Sequence, residues 1–387
     1  MKILHIAPDE KFINNIYFQF NKLYPNQNKY LILLEKNVET TRYVSIEDHF
    51  STLTMSKKNI EKCIKETNGY EIIILHGLNY FQSQIVLNAN NSNKFIWFFW
   101  GGELYDNASA LREKIIGEIT FQKFHQKSWK DKIKSLIRIP YYFIKFNTSI
   151  PEKSIISAAG KIKYFGILHR EELEYFKQLG YLSPTVSHIC MTYYPLEYIF
   201  KGIENIKVNG NNILLGNSSS SSNNHLEAFN ILKSFNLDDK NIIVPLSYGD
   251  KRYGETITEI GKTLFGKNLQ SLFDFMPLDK YTILLSSCNV VVMNHYRQQA
   301  VGNIIAMLWM GAKVYLDEQN TFYHYLRRIG IEVFSIKADL KVDNPLALVG
   351  LSDYQIDQNR KILQREIGFS NIKSQLEQRL KLIVGEH

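Results

Sequence analysis

Nowhere does this chain of 387 residues carry an apolar run approaching the roughly 18 to 20 residues that a membrane-spanning helix needs. A spanning segment is therefore excluded, and the expectation is a soluble or peripheral protein. Cysteine is scarce. Cys63, Cys190 and Cys288 lie far apart, with no Cys-x-x-Cys pair and no histidine nearby at metal-ligand spacing. Such spacing supports neither a disulfide framework nor a zinc site, so three reduced thiols are expected. Residues Met1 to Pro8 lack the longer apolar core and small-residue cleavage site of a secretory signal, which predicts a cytoplasmic location. Disorder is excluded in turn, because 45% of the residues are hydrophobic and 13% aromatic.

What is present is enough sequence for two domains of about 150 to 200 residues each. The formal net charge of +8 favours an anionic partner, without choosing between nucleic acid, anionic lipid and a phosphorylated substrate. Its distribution says more. Lys123, Lys127, Lys130, Lys132, Lys134, Arg138 and Lys145 fall in one stretch whose only acid is Asp131, interleaved with Phe121, Phe124, Trp129, Ile137, Tyr141 and Tyr142. Cations mixed with bulky apolar groups suit an anionic membrane surface, and they equally suit a solvated helix whose lysines snorkel over their own domain.

Apolar strand candidates alternate with helical stretches: Lys2 to Ile6, Tyr30 to Leu34, Glu71 to Leu75, Lys94 to Trp100, Lys161 to Tyr164 and Thr185 to Ile189. A second set follows the polar segment Lys201 to Asn212, at Asn212 to Leu215, Asn241 to Leu246, Asn289 to Met293 and Lys313 to Leu316. This is the pattern of two doubly wound, Rossmann-like α/β domains, with boundaries expected at 1–203 and 204–387. The charged, periodic tail from Asp353 to Val384 predicts one or two terminal helices that fold back on the first domain.

The segment from Cys288 to Leu316 reads as strand, polar loop, helix and strand, with Gly311 as the helix stop. Its loop presents His295, Arg297, Gln298, Gln299, Gly302 and Asn303 where a helix N-terminus opens, a combination that suits a diphosphate. Gly216, Asn217 and the five serines Ser218 to Ser222 form a second strand-to-helix turn, at the sheet edge where open α/β sheets bind ligands. A plain polar turn is the alternative. After the next strand, Tyr248 is either a stacking surface for a base or sugar or an ordinary surface tyrosine.

In the first half, Leu75-His76-Gly77 and Trp100-Gly101-Gly102-Glu103-Leu104-Tyr105-Asp106 each end an apolar strand in a polar turn, expected to face the second domain's loops across a cleft. Glu103 is a candidate general base for a sugar hydroxyl, or a carboxylate favoured by a helix N-terminus. His76 is a second candidate base, or a hydrogen-bonded structural residue.

These pieces, with Asn224-His225, Val244-Pro245, Met276-Pro277-Leu278-Asp279-Lys280-Tyr281 and Arg297-Gln298-Gln299-Ala300-Val301-Gly302-Asn303, resemble glycosyltransferase family 56. That is the family of TDP-N-acetylfucosamine:lipid II N-acetylfucosaminyltransferase. The matching pieces run in the family's order from about residue 70 to about residue 325, and the run around Arg297 is the most specific. The chain departs from the family pattern at Glu103, where the family has Asp, and at Ala300-Val301-Gly302-Asn303, where it has Gly-Ile-Gly-Thr. The basic insertion between residues 120 and 150 also differs in length.

The resemblance implies a GT-B fold of two Rossmann-like domains about a central cleft. It implies a dTDP-linked 4-acetamido-4,6-dideoxyhexose donor, and an undecaprenyl-diphosphate-linked glycan acceptor met at the cytoplasmic face of the bacterial inner membrane. No cofactor, metal or nucleic acid is expected, and the chain has no Asp-x-Asp sequence. Arg297, Glu103 and His76 become the catalytic candidates. Donor binding is expected at Gly216, Asn217, Ser218, Tyr248, Met276, Pro277, Tyr281, His295, Gln298, Gln299, Gly302 and Asn303. Acceptor binding is expected at Gly77, Gly101, Gly102 and Asp106, and membrane contact at Lys123, Lys127, Trp129, Lys130, Lys134 and Arg138. The rival readings are a non-catalytic nucleotide-sugar or nucleic-acid binding protein, and a GT-B epimerase or hydrolase of nucleotide-sugars.

Overall fold

The computed structural model describes residues 1–45, 49–90, 94–125, 137–138, 140–141, 150–199 and 204–385. The chain divides into two compact units, the first built from the described residues of 1–111, 129–195 and 369–387, the second from those of 112–128 and 196–368.

The first unit holds seven parallel strands: β1 (Ile3–Pro8), β2 (Asn28–Leu34), β3 (Phe50–Thr54), β4 (Ile72–His76), β5 (Phe95–Phe98), β6 (Tyr164–Ile167) and β7 (Ser187–Cys190). Their order is β3-β2-β1-β4-β5-β6-β7. Runs such as Ile72-Ile73-Ile74-Leu75 are fully buried, as a sheet covered by helices on both faces requires. The chain winds outward from β1 to β3 and then returns to place β4 on the other side of β1. The order therefore reverses between β1 and β4. Helix Phe369–Gly385 closes this unit by burying Leu376, Leu380 and Ile383 in the same core as Ile3, Phe20 and Ile74.

The second unit holds six: β8 (Asn212–Leu215), β9 (Ile242–Pro245), β10 (Leu269–Leu272), β11 (Cys288–Met293), β12 (Lys313–Leu316) and β13 (Phe334–Ser335). The order β10-β9-β8-β11-β12-β13 repeats the same device, with its reversal between β8 and β11. Helix starts are set by their caps: Asp250 accepts from the backbone N–H of Arg252 and Tyr253, and Ser352 forms a capping box with Gln355. Gly311 ends helix Val301–Met310 at φ 99°, a left-handed conformation that glycine adopts without steric cost.

Residues 112–125 pack within the second unit. The Gly117 N–H donates to Asn224 Oδ1 at 2.8 Å, and Thr120 donates from its backbone N–H (2.9 Å) and its hydroxyl (2.5 Å) to the Glu227 carboxylate. Phe124 packs edge-tilted on Tyr253, ring centroids 4.7 Å apart. Gly117 leaves no room for a side chain, since a Cβ there would lie 2.3 Å from Glu227 Oε1.

The strands missing from the sequence expectation are β3, β10 and β13, and each ends one side of its sheet. A strand at an edge is covered less completely, so Phe50-Ser-Thr-Leu-Thr and Leu269-Gln-Ser-Leu lack the continuous apolar run that marks their neighbours. β6 is displaced: it runs Tyr164–Ile167 and takes over only Tyr164 from the expected segment, Lys161 and Ile162 lying in the turn after helix Pro151–Ala159. No helix among the described residues is long and apolar enough to cross a membrane.

Candidate active site

Open α/β sheets bind ligands beyond the carboxyl ends of the strands, where the strand order reverses. In the second unit that place is flanked by the loops following β8 and β11. The first of these turns at Gly216, whose φ of 66° and close surroundings require glycine: a Cβ would sit 2.7 Å from both Asn223 Oδ1 and His225 Nε2. Asn223 joins the two loops. Its Oδ1 accepts from the Asn217 backbone N–H at 2.8 Å and from His295 Nε2 at 2.9 Å, while its Nδ2 donates to Ser218 Oγ (3.0 Å) and to the Ser220 carbonyl (3.1 Å). Asn224, in the left-handed region at φ 49°, donates to the carbonyls of Ile115 and Asn294 and so ties the inserted segment to both loops.

Gln299 makes a second bridge. Its Nε2 donates to Asn217 Oδ1 at 3.1 Å and its Oε1 accepts from Ser222 Oγ at 2.8 Å. Asn217 Nδ2 in turn donates to the Tyr248 hydroxyl at 2.5 Å, which holds a ring that remains 60% exposed. Arg297 is half-buried, with Nη1 donating to the Gln298 carbonyl at 3.3 Å. Ala300, left-handed at φ 57°, leads into helix Val301–Met310, whose first turn receives no side-chain cap. Gly302 faces open space in that turn, with nothing within 4 Å of where a Cβ would be. Uncapped N–H groups, an open first turn and a guanidinium together can hold an anion. Tyr281 lies in helix Leu278–Ser286, next to Met276 and Pro277; burial first, and then the nearby Tyr248 hydroxyl, push its ionisation upward. His295 is wholly buried, so within this conformation it supports the loops from behind.

The first unit brings together a different set at the ends of β4 and β5. Both oxygens of Glu103 accept N–H groups of its own turn: Oε1 from Trp97 Nε1 (3.2 Å) and Trp100 N (3.0 Å), Oε2 from Trp100 N (3.2 Å) and Gly102 N (3.0 Å). Burial pushes its carboxyl above the ordinary value and outweighs those donors, which act in the opposite direction. Gly101 (φ 105°) and Gly77 (φ 75°) make the two turns, with the Trp100 ring 3.2 Å from where a Gly77 Cβ would stand. Gly102 accepts at its carbonyl from the N–H of Asp106, whose side chain is exposed.

His76 is completely buried and both its nitrogens are engaged, Nε2 with His5 Nδ1 at 3.0 Å and Nδ1 with the Tyr193 hydroxyl at 2.9 Å. The proton positions follow from the ends of this chain of groups. Asn28 uses Nδ2 to donate to the Phe20 and Tyr24 carbonyls, so its Oδ1 accepts from His5 Nε2 at 3.3 Å. His5 Nδ1 must then accept from His76 Nε2, and His76 Nδ1 from Tyr193, whose oxygen accepts from the donor-only Trp100 Nε1 at 2.6 Å. A one-way file of neutral groups therefore runs from the sheet interior to Trp100. Within this file both His76 nitrogens are engaged.

Of the remaining sequence candidates, Lys123 is exposed on helix Glu118–Phe124 and Arg138 pairs with Glu152 at 2.7 Å. Lys127, Trp129, Lys130 and Lys134 lie outside the described residues. Among the described residues no cluster of three or more His, Cys, Asp or Glu could hold a metal ion. Sequence reasoning passed over Asn223, His5 and Tyr193 as members of these networks. Only Asn223 carried a signal, its place beside the serine run.

The family model for 4-alpha-L-fucosyltransferase, glycosyl transferase group 56, matches residues 163–363, more than half of the chain. Among solved structures, sucrose-phosphate synthase from Thermosynechococcus elongatus superimposes with a TM-score of 0.63 at 11% identity, covering 100% of both chains. Anabaena HepE in complex with UDP and glucose gives 0.60 at 10% identity over 99% of this chain and 100% of that one. An alpha,alpha-trehalose-phosphate synthase (UDP-forming) from Burkholderia vietnamiensis gives 0.60 at 8% identity over 100% of both. At such identities the likeness carries the fold, which is GT-B with two Rossmann-like α/β domains.

Burial holds His5, His225 and His295 each at a pKa of about 3, and lowers His188 to about 4. The unfolded chain binds protons at these positions near pH 6.5, and the folded chain does not. Their contribution to stability is therefore complete above pH 6.5 and is lost as pH falls toward about 3, or toward about 4 for His188. Urea midpoints should fall steeply between about pH 6.5 and about pH 5. A midpoint that stays constant over that interval would contradict the neutral, buried assignment.

Proposed function

The chain belongs to the 4-alpha-L-fucosyltransferase family, glycosyl transferase group 56, and from that membership we propose that it moves a 4-acetamido-4,6-dideoxyhexose from dTDP to an undecaprenyl-diphosphate-linked oligosaccharide. The product belongs to bacterial surface polysaccharide synthesis. That the protein is a hexosyltransferase using a sugar donor and a glycan acceptor is the plain consequence of its family. The particular donor, lipid carrier and pathway are our reading.

The observation that carries this reading is the meeting, at the strand-order reversal of the second unit, of Arg297 with the uncapped first turn of helix Val301–Met310. When the bond from the sugar C1 to the diphosphate breaks, the leaving group takes the electron pair and its negative charge grows. A guanidinium and oriented N–H groups stabilise that charge without reorganising, and need no metal to do so. Asn217, Ser218, Gln298, Gln299 and Asn303 give further polar contacts around the diphosphate. The exposed face of Tyr248, together with Met276, Pro277 and Tyr281, supplies an apolar and aromatic place for the thymine. In the first unit, Gly77, Gly101, Gly102 and Asp106 form an acceptor edge. Glu103 and His76 serve there as positioning residues, because the Glu103 carboxylate is spent on Trp97, Trp100 and Gly102 and the His76 ring on His5 and Tyr193.

The basic stretch supports peripheral attachment at the cytoplasmic face of the inner membrane. Lys123 is exposed, as an electrostatic contact with anionic lipid requires. Sedimentation should recover more protein with anionic than with neutral vesicles, and the difference should shrink at high salt. Equal recovery would exclude this mode of attachment.

Incubating the protein with a dTDP-4-acetamido-4,6-dideoxyhexose should release dTDP only when a polyprenyl-diphosphate-linked oligosaccharide is added. Release without acceptor would favour a hydrolase instead. Arg297→Ala should lower kcat by about 10²- to 10³-fold, the effect of losing one charge-stabilising donor. Unchanged turnover in the folded variant would remove Arg297 from that role.

A further inference from the structure

The first unit contains a cavity of 1330 Å³ that none of the foregoing roles uses. It lies at the carboxyl edge of the sheet and is lined by Pro8, Asp9 and Glu10 after β1, Leu34 and Glu35 at β2, and Asn79 and Tyr80 after β4. The strand order of this unit reverses between β1 and β4, so the cavity occupies the position that ligands take in open α/β sheets. Sites for drug-sized molecules run to about 1,000 Å³, and the larger space here suits an oligosaccharide better than a single sugar. Its walls mix aliphatic Ile60 and Ile64 with Tyr43, Tyr80 and carboxylates. Rings can cover the apolar faces of pyranoses, while carboxylates accept from their hydroxyls.

The two acids that follow β1 differ in what they are free to do. Asp9 is spent on the loop that follows β2, accepting the backbone N–H groups of Arg42, Tyr43 (3.1 Å) and Val44 (2.9 Å). No described residue donates a hydrogen bond to the half-buried Glu10 carboxylate or forms an ion pair with it; only its backbone carbonyl is used, by Ile13.

We propose that this cavity binds the terminal sugars of the acceptor glycan, and that Glu10 is the catalytic base that takes the proton from the attacking hydroxyl. The inference rests on the transferase reading. In the step, the acceptor O–H bond breaks and its proton passes to the Glu10 carboxylate. The hydroxyl oxygen forms the new bond to C1 of the donor sugar, and the C1–O bond to the diphosphate breaks, its electron pair leaving with the diphosphate. Attack by an acceptor oxygen activated in this way inverts the configuration at C1.

Burial first, then the neighbouring Asp9 charge, pushes the Glu10 carboxyl above its ordinary value, with Lys11 acting in the opposite direction. Burial first, and then the nearby Glu10 charge, push the ionisation of Tyr194, just beyond β7, upward. Across the cavity the charged groups are Glu35, Arg42 and, on helix Lys57–Thr67, Lys57, Glu61 and Lys65. A base raised in this direction is better matched to proton transfer near neutral pH than an ordinary carboxylate.

The test is the pH profile of kcat/KM for transfer from a dTDP-4-acetamido-4,6-dideoxyhexose to a polyprenyl-diphosphate-linked oligosaccharide, for native protein and Glu10→Gln. Thermal midpoints should be alike, since glutamine keeps the volume and breaks no described hydrogen bond. The variant should lose about 10²- to 10⁴-fold in kcat/KM, and the acid limb of the native profile should vanish. A loss below about fivefold with the acid limb retained overturns the role of Glu10 while leaving the transferase intact, because the native protein turns over in the same assay. Product with retained anomeric configuration also overturns it. A native protein that forms no product overturns the transferase reading, and this inference with it.

Discussion

The carboxamide of Asn223 holds the second unit's site together. One oxygen takes an N–H from the β8 turn and another from His295 after β11, and the amide nitrogen returns two hydrogen bonds to the serine run. Asn223, Asn217, Ser218 and His295 are all buried. A buried group left without its partner costs about 1–3 kcal/mol, so the network constrains both loops at once. Gly216 must be glycine because Asn223 and His225 occupy the space a side chain would need. Gln299 and Tyr248 then stand on Asn217, and the open first turn of helix Val301–Met310 is presented beside Arg297.

The same topological constraint shapes both units. Each sheet is parallel and each reverses its strand order once, between β1 and β4 or between β8 and β11. At a reversal the adjacent loops diverge and leave a crevice, which explains why the diphosphate candidates in one unit and the cavity in the other lie at equivalent places. The chain stitches each unit with pieces from elsewhere in the sequence. Residues 112–125 lock onto Asn224 and Glu227, and the terminal helix completes the first core with Leu376, Leu380 and Ile383.

Much of this was legible in the residues. Interior strands announce themselves by continuous β-branched runs, and the GT-B class and the family followed from strand-end motifs such as Trp100-Gly-Gly and Arg297-Gln-Gln. The edge strands β3, β10 and β13 did not, because partial exposure leaves their sequences polar. The engagement of the candidate side chains was less legible than the loops that carry them. Glu103 and His76 have the residue types of a base, yet the Glu103 carboxylate is taken up by N–H groups within six residues of it, and the His76 imidazole by a partner far off in sequence, Tyr193, 117 residues away. Asp9 and Glu10 make the same point: adjacent acids in the sequence, one consumed by the loop at 42–44 and the other facing a cavity.

On the proposed reading, the strand-order reversal of the second unit holds the nucleotide diphosphate. Hydrogen–deuterium exchange of the full chain with and without dTDP tests it most directly. Exchange should slow in the segments 216–224 and 294–303, where backbone N–H groups would meet the phosphates. Unchanged exchange in both segments at saturating dTDP, or protection confined to the first unit, would contradict it.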